Sequence, residues 1–378
     1  MDHNQEKERA SVNQKKKKLF SNIWFKMLYV AFLVLLFFRI FFIDINVVPT
    51  PNMEGSLHIG DYLISSKKMW HKLLPISNIK SKIFIFNWPV GDSIYITNSR
   101  FYALGQVARE PAYIEQDAEL SKKVQNKDFV VRTLDNKIHY IKRCVAGPGD
   151  SLQIKDRQIY LNGKPVKNPK HLQYLYQVQL PPNVSVNNKK LDEWGIDFGD
   201  NAMGGPQLFN NGGGVFFLDN YQVEKLKSLD PNVVIQIYPQ RPDPLKLFPF
   251  DTIVGSQNWS VDNYGPIWIP KAGASTNLSL SNLPFYRRAI EVYEGNKLEV
   301  KGQDIFINGT KADSYTFKQD YYWAMGDNRH NSEDSRFWGY VPFDHIVGKP
   351  LFIWFSTKEG SIRNGINWDR IFTSADKE

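Results

Sequence analysis

Three short blocks hold the side chains that can do chemistry: VVPTPNMEGSLHIGDYLISSK (Val47–Lys67), HYIKRCVAGPGD (His139–Asp150) and MGDNRHNSEDSRFWGYVP (Met325–Pro342). In the second, period-two alternation sets Lys142 on one strand face with Tyr140 and Cys144, and Ile141 with Arg143 on the other. A lysine on a half-buried face loses solvation as the cation, so its pKa falls and the neutral amine can act as a base. Such an amine can activate a hydroxyl nucleophile without any histidine. A lysine that snorkels to solvent fits the same pattern, and both readings stay open at this point. In the third block, Ser332 is a hydroxyl partner for a lysine amine. Asp327, Arg329, Asp334 and Arg336 can form charge-assisted pairs that pin the loop, although a solvated turn would look the same.

Other chemistries find little support. His58, His71, His139, His171, His330 and His345 show no metal-binding spacing, so neither a metal nor a cofactor is expected. Cys144 is the single cysteine, which excludes an intramolecular disulfide and a CxxC redox pair; it reads as a packed small residue.

The elements that must position these blocks read as short strands divided by turns. The chain has 378 residues, 42% hydrophobic and 14% aromatic, with 25 glycines and 21 prolines, which favours a mainly β body over a helical bundle. Strands are expected at Ile83–Phe86, Asp128–Leu134, His139–Val145 and Ile159–Gly163, and a helix at Asp117–Gln125. One repeat aligns without gaps: GDSLQIKDRQIYLNG (Gly149–Gly163) with GNKLEVKGQDIFINGT (Gly295–Thr310). Each copy reads as a hairpin followed by an Asn-Gly turn of type I′. Between them, about 166–294, lie PPN, GGPQ and NNGGGV turns and several tryptophans, read as a smaller β-rich domain inserted into the first.

The net charge of +8 first suggests nucleic acid, but its location argues otherwise. Residues 1–26 carry seven basic side chains against three acidic ones, half of the whole excess. Met27–Ile43 is the longest apolar run, interrupted by Arg39 near one end and flanked by Trp24 and Tyr29 at interfacial positions. Bulky Phe41, Phe42 and Ile43 do not make a cleavage site, so a retained anchor is expected rather than a removed signal sequence. The lysines before it keep the amino terminus cytoplasmic and send the body across the membrane. The expected division is a basic tail (1–26), an anchor (27–43), a main domain in two parts (44–165 and 295–378) and the insertion (166–294).

Together the three blocks, in this order behind an anchor, resemble the bacterial type I signal peptidases. The resemblance rests on GDNR-x-NS-x-DSR-x-WG-x-VP and YIKR-x-V-x-x-PGD. The PTPNME start, the NRHNS wording and the long insertion look most like the Bacteroidetes branch. The resemblance implies a β-rich membrane-anchored endopeptidase with a Ser–Lys dyad and no cofactor. By it, Lys142 is the general base, Ser332 orients the amine, and the Thr50 hydroxyl with the backbone N–H of residue 52 forms the oxyanion hole. Asp334 and Arg336 form a structural pair beneath the site, with Asp327 and Arg329 nearby. Pockets for small residues lie near Ile45, Val47 and Val48 and near Tyr140 and Ile141. The implied partners are signal peptides of exported preproteins, the lipid bilayer and the secretion translocon, not nucleic acid. The implied location is the inner membrane, single-pass, with the catalytic domain periplasmic.

One residue departs from the pattern. The family's nucleophilic serine directly precedes the methionine of the first block, and here that residue is Asn52. A carboxamide has no proton whose removal by an amine yields a competent nucleophile. Thr50 and Ser56 are the neighbouring hydroxyls. Two readings therefore stand: a working signal peptidase, and an inactive homologue that binds signal peptides or modulates an active paralogue.

Overall fold

The computed structural model describes residues 24–67, 83–87, 96–97, 100–101, 139–196, 207–208, 213–242, 247–249 and 258–375. The strand expected at 128–134, the helix expected at 117–125 and most of the basic tail lie outside these residues.

Trp24–Phe41 form one helix, apolar apart from Lys26 and Arg39 and with none of it buried in the rest of the protein. Its 18 residues rise about 27 Å, enough to cross a bilayer core with little tilt. The expected anchor ran from 27 to 43. The described helix already includes Trp24, three residues before that, and Ile43 is drawn instead into a strand by its pairing with Ser66. Arg39, the one cation in the apolar run, pairs with Asp44 just past the helix end.

The body is β-rich. Its main sheet contains β1 (Ile43–Val47), β2 (Asp61–Lys67), β3 (Ile83–Asn87), β4 (His139–Ala146), β5 (Tyr321–Met325) and β6 (Ile346–Ser356). The spatial order is β1-β2-β6-β3-β4-β5, all antiparallel, with Val341–Pro342 beside β5 and Thr373–Ser374 beside β6. Alternation along β1 and β2 divides the sheet into two faces. Val48, Leu63, Ile85, Ile141 and Ile353 point inward and pack with Met53 and Leu57. Ile45 and Val47 point outward, each paired across to a residue of the same face, Ile64 and Tyr62. Trp354 packs against Tyr62 and Phe372 against Phe352, so both extend this exposed apolar surface, Phe372 at 77% exposure.

The repeated hairpins form as their turns dictate. Ser151–Lys155 pairs with Gln158–Leu161, and Leu298–Lys301 with Asp304–Ile307. Asn162 and Asn308 both take φ of 52°, and the glycines after them 78° and 83°, the left-handed pair a type I′ turn requires. Even the side-chain bonds repeat: Asn162 Oδ1 accepts from Ser151 N and Asn308 Oδ1 from Lys297 N, each at 2.9 Å.

The stretch 166–294 contributes to two different cores. Gln207–Leu208, Gly214–Leu218, Tyr174–Gln179 and Val234–Ile237 form a four-stranded sheet whose Val178 and Phe216 share a core with Leu191 and Leu226 of the helices Asn188–Glu193 and Asn220–Lys227. Tyr264–Trp268 instead pairs with Ser151–Lys155, and Tyr264, Ile267, Leu283 and Ile290 pack with Leu152, Ile154, Trp323 and Tyr340.

Candidate active site

The first chemical block is shaped by its prolines. Pro49 and Pro51 flank Thr50, which is extended at φ −138°, and Pro51 starts a single 3₁₀ turn, Pro51–Met53. Met53 is fully buried, and its carbonyl accepts from both Ser56 N and Leu57 N, which fixes the turn against the core. The backbone carbonyl of Asn52 accepts from Asn328 N at 3.1 Å, tying this turn to the third block. Asn52 is thereby held opposite Lys142, which projects from the middle of β4.

Lys142 is completely buried. Its Nζ lies 2.7 Å from Ser332 Oγ. The hydrogen-bonding network assigns the Asn52 carboxamide orientation: Oδ1 faces Lys142 Nζ at 3.0 Å and Thr50 Oγ1 at 3.1 Å, and Nδ2 donates to Asn331 O at 2.9 Å. Burial lowers the Lys142 pKa to about 7, the nearby Asp334 charge opposing it and Arg336 adding to it. The desolvated amine is therefore the correct reading of the alternation, and the snorkelling one is not. No side chain would fit at Gly326, where a Cβ would overlap Ser332 Oγ and the Asn52 carbonyl.

Two buried ion pairs brace this group. Arg336 clasps Asp334 through Nε at 2.8 Å and Nη2 at 2.7 Å, and Asp334 Oδ2 also accepts from Gly326 N. The Arg336 charge holds the Asp334 carboxyl below the usual carboxylate range in spite of its burial. Asp327 is clasped by Arg143, Nε at 2.8 Å and Nη2 at 2.7 Å, and accepts a third bond from Ser56 Oγ at 2.6 Å. Arg329 forms none of the charge pairs that its place in the block suggests. Its guanidinium is buried with Nε and Nη2 unpartnered, while its backbone serves the loop, N to Gln173 O and O from Arg336 Nη2. Burial lowers its pKa accordingly.

A family model described as signal peptidase, peptidase S26, matches residues 21–195 and 291–355. The chain belongs to the signal peptidase family. It is 36% identical over 105 residues to signal peptidase I of Buchnera aphidicola subsp. Baizongia pistaciae, covering 26% of this chain and 34% of that protein. It is 38% identical over 76 residues to signal peptidase I of Helicobacter pylori, covering 20% and 25%, and 50% identical over 48 residues to that of Aquifex aeolicus, covering 13% and 19%. The matches thus span about a third or less of each of these signal peptidases. The family model leaves out 196–290, which holds three strands of the four-stranded sheet as well as Tyr264–Trp268.

In this signal peptidase homologue, the residues expected to line substrate pockets separate. Ile141 and Val48 are buried together beneath the 51–53 turn, and Tyr140 is half-buried one residue before Ile141. Ile45 and Val47 do not join them. Asn46 between them turns inward and donates from Nδ2 to Ser65 Oγ at 2.9 Å, so period two sends both neighbours to the outer apolar face.

Several buried polar residues escaped sequence reasoning. Arg370 binds Asp61, Nη2 to Oδ2 at 2.5 Å, and donates to Ser56 O, buttressing the first block from the far end of the chain. His330 bridges Asp262 at 2.8 Å and Leu175 N at 3.1 Å. The one local signal was for Arg143, which alternation puts on the opposite face from Lys142. The other partners are 68 to 314 residues apart in sequence and left no local trace.

Chemically, the centre offers a desolvated primary amine of pKa about 7 and two oxygen acceptors for it. An amine in that state can take and return a proton near neutral pH.

Proposed function

We propose that this chain is a membrane-anchored signal peptidase homologue that binds the signal peptides of exported preproteins, and that asparagine at position 52 stops it from cutting them. The single observation that carries this reading is the buried Lys142 amine, pKa about 7, held between Ser332 Oγ and Asn52 Oδ1. Lys142 is the general base of the design and Ser332 its orienting partner. Residue 52 stands where the family's serine attacks.

With serine at 52, the amine would take the Oγ proton as oxygen attacks the scissile carbonyl. The Thr50 hydroxyl and the N–H of residue 52 would then stabilise the oxyanion, and the same amine would return the proton to the leaving nitrogen. Asparagine halts the first step. Its Nδ2 lone pair is delocalised and the group donates to Asn331 O; its Oδ1 is already engaged by Lys142 and Thr50. The two neighbouring hydroxyls do not substitute, since Thr50 Oγ1 is spent on Asn52 and Ser56 Oγ on Asp327.

The helix Trp24–Phe41 is the anchor, the basic tail keeps the amino terminus cytoplasmic, and the body works on the far side of the inner membrane. The exposed apolar face of Ile45, Val47, Trp354 and Phe372, beginning two residues after the anchor's pairing strand starts, supports a body that lies against the bilayer where the translocon delivers its clients.

The test is preprotein cleavage in detergent by the chain as written and by Asn52→Ser. The parent is expected to be inactive, and serine to restore turnover by up to about 10⁶-fold, the scale of a lost nucleophile. Lys142→Ala should abolish that gain. Equal cleavage by parent and serine variant would sink the proposal.

A further inference from the structure

The carboxamide at position 52 is itself an acyl group, and the centre surrounds it with the parts of an acyl transfer. The first part is the amine. Lys142 is fully buried, burial lowers its pKa to about 7, and a neutral primary amine is a nucleophile as well as a base. Its Nζ stands 3.0 Å from Asn52 Oδ1. A C=O bond is about 1.23 Å long, so Asn52 Cγ lies at most about 4.2 Å from Nζ. Near-attack separations are about 3–3.5 Å, so a shift of about 1 Å or less carries the amine from the oxygen onto the carbon.

The second part is a donor for the oxyanion. Thr50 Oγ1 donates to the same Oδ1 at 3.1 Å, the atom on which charge develops when an amine adds to Cγ. The third is a proton acceptor, Ser332 Oγ, 2.7 Å from Nζ. Asn52 Nδ2 is held on its other side by Asn331 O at 2.9 Å, which leaves the carbonyl edge facing the lysine. Both reactants ride on fixed backbone. Lys142 lies within β4, paired with β3 on one side and β5 on the other, and the Asn52 carbonyl accepts from Asn328 N.

We propose that Lys142 and Asn52 join in an intramolecular isopeptide bond. The Nζ lone pair adds to Cγ, the Nζ–Cγ bond forms, the Cγ–Nδ2 bond breaks, and one proton passes from Nζ to Nδ2, which leaves as ammonia. Nothing is oxidised or reduced, and no co-reactant is consumed. Well-oriented neighbours react with effective molarities of about 10⁵–10⁸ M, the advantage two side chains fixed in one core possess over free amine and amide. The hydrogen-bonded pair is the reactant; the product ties the Pro51–Met53 turn covalently to β4 and uses up the general base. The bond shares with the proposed function only the placing of residues 52 and 142 in one centre, and it needs no bound peptide.

The experiment is mass spectrometry of the full chain, purified in detergent, denatured, and read as intact mass and as a proteolytic digest. The parent is expected to be lighter by one ammonia, with residues 52 and 142 in a single branched peptide. Lys142→Arg removes the nucleophile and Asn52→Ser the acyl group, and each should keep its full mass. Thr50→Val removes the donor to the oxyanion and should slow joining about 10²–10³-fold, read as the branched fraction against time after pulse labelling. A parent of full mass with an intact carboxamide would overturn the proposal. So would loss of ammonia that persists in Lys142→Arg, the mark of a succinimide closed by the backbone nitrogen of Met53. An unjoined parent beside an active Asn52→Ser variant would refute the bond alone; a joined parent beside a silent Asn52→Ser variant would refute the cleavage reading alone.

Discussion

In the Asn52→Ser variant, the pH profile should report Lys142 directly. A free lysine titrates near 10.4, so at pH 8 only about 0.4% of it would be neutral, and activity would still rise tenfold per unit beyond pH 9. Burial holds Lys142 at about 7. A base of that pKa is about 9% neutral at pH 6 and about 91% neutral at pH 8, a tenfold gain that then levels off. Serine removes the carboxamide oxygen now 3.0 Å from Nζ but leaves the burial, the larger cause of the shift, unchanged. The plateau should therefore begin at or slightly below pH 8. The assay is kcat/KM for a preprotein between pH 5 and 9.5 in one detergent at constant ionic strength. Log kcat/KM should climb with unit slope below pH 7 and flatten above 8. A line still rising at pH 9.5 would show a solvated lysine, and a flat line across the range would show that no lysine is the base; either refutes the reasoning.

Other outcomes follow from the same geometry. Ser332→Ala in the serine-52 background removes one bond to the amine at 2.7 Å, so kcat should fall about 10–100-fold with KM unchanged, and a matching rise in KM would deny Ser332 an orienting role. Asp327→Asn strips the buried Arg143 of its counter-charge and should cost about 3–5 kcal/mol in unfolding experiments, against a loss near zero if the pair is ornamental. In proteoliposomes with brominated lipids, the emission component lost in Trp354→Phe should be quenched, because Trp354 packs on Tyr62 at the exposed apolar surface; an unquenched component would lift that face off the bilayer.

What the sequence made legible was local. The Asn-Gly turns needed only their own φ > 0 residues, so both hairpins were readable at residue level. Lys142 was readable because strand alternation gave it a face, although only packing could decide between a buried amine and a snorkelling one. The Asp334–Arg336 pair, two residues apart, was equally legible. Contacts made by distant segments were not. Asp327 meets Arg143 across 184 residues, and that pairing displaced the simpler expectation that the charges of the third block would match among themselves. Tyr264–Trp268 joins a strand more than 100 residues earlier, so a stretch that reads as one insertion feeds two cores. The alternation along 45–48 shows two faces without saying which one holds the chemistry, and packing leaves Ile45 and Val47 on the exposed one.

Asparagine at position 52 fits the surrounding polar balance. A buried amine at pKa about 7 needs acceptors, and Ser332 supplies one while the carboxamide oxygen supplies another. The same oxygen engages the Thr50 hydroxyl, and the carboxamide nitrogen gives Asn331 O a donor. Alanine in its place would leave Asn331 O and Thr50 Oγ1 without those bonds and the amine with one acceptor fewer, each loss worth about 1–3 kcal/mol when buried. Asparagine thus leaves the polar groups of the centre satisfied. The braces at Asp327 and Asp334 do not depend on the side chain at residue 52, so on the proposed reading the framework that would hold a peptide outlasts the loss of cutting. That reading makes binding and hydrolysis separable at one side chain, and serine at that one position is the change that should rejoin them.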